Sequence, residues 1–156
     1  MIAMVQSTPT MAQQIAEAAS ALQHQRTGHA PKSVSVMLSG DTLVITLHGA
    51  LSPAEQVMTQ SPEGAAKVQE FHRQLFLSAS DTVRKEIHRI TGVEVREVNA
   101  EVEPATGSVM QIFTTGAMVQ VFLLAEPLSA ESWNGSGSPE VPIPLITNIF
   151  LEKEIL

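Results

Sequence analysis

The sequence predicts a two-layer α+β domain: a mainly antiparallel sheet of four to five strands with helices on one face. Three observations carry this expectation. Two segments place apolar residues at helical spacing, Met11-Ile15-Ala18-Leu22 and Val68-Phe71-Leu75-Ala79-Val83-Ile87-Ile90. The chain after each becomes rich in β-branched residues with period-two alternation. A Thr-Gly pair, Thr27-Gly28 and Thr91-Gly92, separates helix from strand both times, where glycine supplies the left-handed residue that ends a helix.

Taken in order, residues 1–9 form an N-terminal arm, and residues 10–126 the domain. Thr10 is the expected N-cap of a helix running to Arg26. Val34, Val36 and Leu38 then alternate along one strand face. Ser39-Gly40-Asp41 turns the chain, and Leu43 to His48 returns as the second strand of a hairpin. Ser52-Pro53-Ala54-Glu55 combines a capping box with proline at the first helical position, and Ser61-Pro62-Glu63 opens a second helix in the same way. The long helix is expected from about Ala65 to Ile90, either continuous or with a local break near Ser78–Asp81, because Ser and Asp cap helices better than they extend them. Beyond Gly92, a strand is expected from Val93 to Val102, a return strand from Val109 to Thr114, and a further β segment from Ala117 to Leu124. That last segment either continues its predecessor through Gly116 or adds a fifth strand. Val34, Val36 and Leu38 share their offsets from Gly28 with those of Val98, Ala100 and Val102 from Gly92, which points to two duplicated α-β-β units. Residues 127–142 have the Gly-Ser-Pro content of a flexible linker, and 143–156 form an apolar tail that suits either a short helix or an extended strand.

Composition narrows the function classes. The 156 residues contain no cysteine, so disulfides, thiolate nucleophiles and Cys-held metal centres are excluded. The net charge of −7 is generated beyond residue 93, where nine acids face only Arg96 and Lys153. A basic groove for nucleic acid is missing, and five Phe and one Trp leave little for base stacking. No apolar run approaches the ~20 residues of a membrane-spanning helix, and Met1–Val5 lacks the charged and apolar regions of a secretory signal. A cytoplasmic protein without direct membrane insertion is expected.

Catalytic signatures are also missing from the sequence. It holds no phosphate-binding Gly-Lys-Ser/Thr loop, dinucleotide fingerprint or nucleophile elbow. His72 and His88 share a helix but lie sixteen residues apart, about 24 Å along the axis, and cannot share a metal. His72 falls within the apolar stripe and is expected as a hydrogen-bonded core histidine. Loops carrying Gly28, His29 and Pro31, and His48, Ser52 and Glu55, are expected to meet, and they form the candidate ligand or partner site. Neither a cofactor nor a metal is expected.

Thr27-Gly28-His29-Ala30-Pro31 before a Val-x-Val strand, Leu51-Ser52-Pro53-Ala54-Glu55, Ser61-Pro62-Glu63-Gly64 and Thr91-Gly92-Val93-x-Val95 occur in an order and spacing that resembles the MpsC-like family of small bacterial proteins. The resemblance spans roughly residues 11–115. The extension Thr114 to Leu124 is similar to the branch found in oxygenic photosynthetic bacteria. The resemblance implies association with a membrane system for cation and inorganic-carbon uptake, and no established catalytic residues. Gly28-His29-Ala30-Pro31 departs from the family's Gly-Arg-Gly-Pro, so a role for that arginine does not carry over.

Together these readings predict a non-enzymatic regulatory or adaptor protein acting through protein–protein interaction, the alternative being a small-anion-sensing module. The protein partner is unknown. A homo-oligomer is expected, with an interface drawn from Met118, Val119, Val121 and Phe122, and from Leu145, Ile146, Ile149 and Phe150 in the tail.

Overall fold

The computed structural model describes residues 9–96, 108–112, 116–134 and 145–150, with backbone alone for 108–112 and 145–150. The elements are α1 (Met11–Thr27), β1 (Ser33–Ser39), β2 (Thr42–His48), α2 (Pro53–Met58), α3 (Pro62–Thr91), β3 (Ser108–Ile112), β4 (Met118–Leu123), α4 (Ala130–Asn134) and β5 (Leu145–Phe150). The fold is α+β. A three-stranded antiparallel sheet, β4-β2-β1, carries α1 and α3 on one face. The backbone of β3 pairs outside β4 and that of β5 outside β1, both antiparallel.

Local sequence accounts for each boundary. The Thr10 hydroxyl accepts from the Gln13 amide at 3.1 Å while the Gln13 side chain accepts from the Thr10 amide at 2.8 Å, closing a capping box. At the other end of α1, Gly28 has φ +77 and its amide donates to His24 O. Gly92 ends α3 in the same way, with φ +76 and its amide on His88 O. The threonine before each glycine repeats the match: Thr27 Oγ1 lies 2.7 Å from Gln23 O and accepts from the His29 amide, and Thr91 Oγ1 lies 2.7 Å from Ile87 O and accepts from the Val93 amide. Between β1 and β2, Gly40 takes the first central position of a two-residue turn at φ +61, as the strand twist favours.

Period-two alternation places Val34, Val36 and Leu38 from β1 and Leu43, Ile45 and Leu47 from β2 on the buried face, none more than 2% exposed. Met118, Gln120 and Phe122 from β4 join them. Ile15 and Ala16 of α1 and Phe76, Ile87 and Ile90 of α3 close the core from above. The helices run antiparallel, because Met11 at the start of α1 and Ile90 at the end of α3 line one cleft.

Three expectations are decided or changed. First, α3 is continuous over its 30 residues. The Ser78 and Ser80 hydroxyls bond back to Leu75 O and Leu77 O at 3.0 and 2.9 Å, so they are satisfied inside the helix without breaking it. Second, the strand expected from Val93 is reduced, among described residues, to one bridge, Val95 to Leu124; Val98, Ala100 and Val102 lie outside the described residues. Third, the first half of the expected linker holds α4. The Ser129 hydroxyl accepts from the Ser132 amide at 3.1 Å and Ser129 O from the Trp133 amide, and Trp133 is 1% exposed within the core. The apolar area of one indole outweighs the turn-forming tendency of the Gly-Ser run beside it. Ala117–Leu124, left open between continuation and a new strand, turns back at Gly116 to pair antiparallel with the preceding strand.

Candidate functional site

The loops that follow α1 and β2 lie at the same end of the sheet, because α1 enters β1 where β2 leaves it. There the His29 ring contacts Gly49 O at 3.1 Å, and the Lys32 amide donates to His48 O at 2.8 Å. Gly49 has φ +62, and a Cβ there would come within 2.9 Å of the Lys32 side chain. Glycine is required both for that φ and for the aliphatic stem packed over it. The Ala50 amide then bonds Gly116 O at 3.2 Å, tying the loop to the start of β4.

Two residues on, at Ser52, the chain opens α2 with the expected capping box. Ser52 Oγ accepts from the Glu55 amide at 3.3 Å, and Glu55 Oε1 accepts from the Ser52 amide at 3.0 Å and from its hydroxyl at 3.0 Å. The second carboxylate oxygen has another partner: Glu55 Oε2 accepts from His72 Nε2 of α3 at 2.5 Å. His72 is 1% exposed and the Glu55 side chain 16%. Burial by itself raises the Glu55 carboxyl pKa, but the Ser52 amide, the His72 ring and the Ser52 hydroxyl together outweigh it and hold the group below its ordinary value. The core histidine expected at position 72 thus has its bond, and Glu55 is the partner.

This chain of Ser, Glu and His lacks the geometry of a nucleophilic triad. The hydroxyl and the imidazole both bond the carboxylate, so the hydroxyl faces no base, whereas a nucleophile must give its proton to the ring. The arrangement instead locks α2 onto α3. A second lock lies at the helix join. A Cβ on Gly64 would meet Met58 O at 2.0 Å, so only glycine lets the α2 carbonyl end pack against the first turn of α3.

The other candidate residues fall into place individually. His48 bonds Ser35 Oγ at 2.8 Å, away from His29, which is turned to Gly49. No three His, Asp or Glu side chains among the described residues come together as metal ligands. Gly28 is exposed and Pro31 buried, so Pro31 is spacing rather than surface. Met118 and Phe122 are 1% and 0% exposed; alternation turns them into the core, and they cannot serve as the expected interface. Val119 and Val121 point to the opposite face and are half-buried. Of the tail residues, Leu145, Ile146, Ile149 and Phe150 stand at register positions opposite Leu38, Met37, Val34 and Ser33. Sequence reasoning missed Gln120, a buried polar residue on the helix-facing side of β4, although the period shared with Met118 and Phe122 was the signal.

A helix-covered antiparallel sheet, held at one end by capped short helices and a carboxylate–imidazole bond, defines a small α+β scaffold whose recurring motifs are caps and turns. Residues 7–117 match the family described as "Na+-translocating membrane potential-generating system (MpsC)". The match covers most of the 156 residues, and the chain belongs to the MpsC family. The uncharacterized protein YbcI of Bacillus subtilis (strain 168) is 28% identical over 86 residues, covering 55% of this chain and 69% of that protein. No solved structure matches. Among the described residues, no helix is long and apolar enough to cross a membrane.

Proposed function

We propose that the chain is a non-enzymatic accessory protein of the MpsC family that works by binding protein, beginning with a second copy of itself, in cation or inorganic-carbon handling. The observation that carries this reading is the sheet face turned away from the helices. None of its positions on β1, β2 and β4 is Asp, Glu, Lys or Arg. Met37, Val44 and Val121 form an apolar row across the three strands, flanked by Thr46 and Val119. A sheet face that stays in water normally carries charge opposite its apolar side; an uncharged one is suited to contact.

We take β3 and β5 to complete a five-stranded sheet, extending the row to the register positions of Val109 and Ile146. In this reading the tail acts as an added strand, and the matched helix ends are the remnant of two duplicated units. A face of five strands, five to seven residues long, is about 24 Å across and about 17–23 Å along the strands, the larger part of the ~800 Å² per partner of a standard interface. The family description supports the link to cation transport. The resemblance of Thr114–Leu124 to the branch from oxygenic photosynthetic bacteria supports inorganic carbon and a cytoplasmic setting.

The small-anion alternative has less support. The Ser52 and Glu55 amides at the start of α2, which it needs, are already bonded within the capping box. Light scattering on the full chain tests the proposal: a dimer mass at micromolar concentration is expected, and a monomer throughout contradicts it.

A further inference from the structure

We propose that the groove between α1 and α3 is a binding site for a single-chain aliphatic carboxylate. The groove runs between the helices down to the sheet, floored by Ile45 and Gln120. Its walls are apolar from Ile15 to Leu22 on α1 and, apart from Glu86, from Leu75 to Ile90 on α3. Ile15 to Arg26 spans about 16 Å along the helix. The enclosed volume is only about 40 Å³, space for roughly three water molecules, so an unbranched chain lies along the groove with one side open to solvent.

The two ends differ. Because the helices are antiparallel, Ile15 faces the Ile87–Ile90 end, while Arg26 and Gln23 lie at the His72 end. Gln23 reaches the sheet there, its Nε2 lying 3.5 Å from Met118 Sδ, two residues from Gln120 on the same strand face. Gln120 is 7% exposed, yet among the described residues its carboxamide bonds nothing. Among the described residues no buried side-chain polar atom is sealed without a partner, so the carboxamide opens onto the groove. An amide placed there can bond an incoming polar group in place of water.

Charge selects that group. Arg26 is exposed at the mouth and has no ion-pair partner among the described residues, whereas Glu86, the acid on the groove's rim, is already bonded by Arg89 at 2.9 and 3.0 Å. The polar end therefore offers a cation at the mouth and an amide at the floor, and the remainder, apart from the Arg89-bonded Glu86 on the rim, offers hydrocarbon. A carboxylate head lies between Arg26 and Gln120, and its chain runs along α1 toward Ile87.

The test is calorimetric titration of the full chain with sodium dodecanoate below its micelle concentration, beside dodecanol and acetate. Saturable binding of one dodecanoate per chain is expected, with dodecanol weaker by roughly tenfold and acetate undetectable. Arg26→Gln, on an exposed side chain, should weaken dodecanoate by about the same factor and leave dodecanol unchanged. Gln120→Leu should weaken dodecanoate while raising the melting temperature of the free protein. Ala19→Phe, which fills the groove, should abolish binding in a chain that still melts cooperatively. Absence of saturable binding, equal affinity for dodecanoate and dodecanol, or indifference to both Arg26→Gln and Gln120→Leu would each overturn the proposal.

Discussion

His72, deep in α3, gives its Nε2 hydrogen bond to Glu55 of α2, seventeen residues earlier in the chain. The same carboxylate closes the cap of its own helix through Ser52. One side chain thus stabilises the start of a six-residue helix and fixes that helix to its neighbour. A helix so short has little stability of its own.

Removing Glu55 should therefore cost more than removing an ordinary cap. Glu55→Ala leaves the His72 ring buried without its partner and the Ser52 amide unbonded, a loss of about 2–4 kcal/mol in chemical denaturation. Glu55→Gln, which can still form a capping box, should lose less. Equal stability of wild type and Glu55→Ala would show that α2 is not held this way.

The same pair predicts an acid limb. The folded Glu55 carboxyl has a pKa below the ordinary value of 4.5, so the unfolded chain binds the proton more readily. Stability contributed by this group is complete above the unfolded value and disappears as pH falls through the folded one. Urea melts at a series of pH values below about 5 should show a shallower decline for Glu55→Gln than for wild type. An identical pH slope in the two would contradict the assignment.

Ser52→Ala tests the cap alone and should cost on the order of 1 kcal/mol. An unchanged melting temperature would mean that the Ser52 hydroxyl is dispensable to the start of α2.

Gly64→Ala should destabilise although alanine is the better helix former, because the added methyl would meet Met58 O at 2.0 Å. Backbone must shift, at a cost of about 1–3 kcal/mol. A gain in stability, the usual result of Gly→Ala in a helix, would show that the α2–α3 join is looser than this.

Much of this architecture was legible because it is local. Thr10, Ser52 and Ser61 as caps, Gly28 and Gly92 as helix stops, and the inward set Val34, Val36 and Leu38 each follow from a few neighbouring residues. The Glu55–His72 bond was only half legible: an apolar stripe calls for a bonded histidine, but a partner on another helix leaves no spacing to read. Trp133 was obscured by the glycines and serines after it, which dominate a composition window while one buried indole decides the packing. The interface expected at Met118 and Phe122 treated an alternating strand as apolar throughout; the sheet divides that segment between core and open face. The site at Gly28–Pro31 and Gly49–Glu55 was legible as a meeting of loops, and His29 does reach Gly49. Its polar groups, however, are used in holding those loops together.

The central claim is that the uncharged sheet face is a contact surface, and sedimentation equilibrium of wild type beside Val44→Glu tests it most directly. Val44 is half-buried in the middle of the apolar row, between Met37 and Val121, so the substitution adds charge where a second sheet would pack and leaves the helix-facing core untouched. The account predicts a wild-type dimer and a Val44→Glu monomer with the same helix content and a cooperative melt. A wild-type monomer, or a dimer that persists unchanged in Val44→Glu, would contradict it.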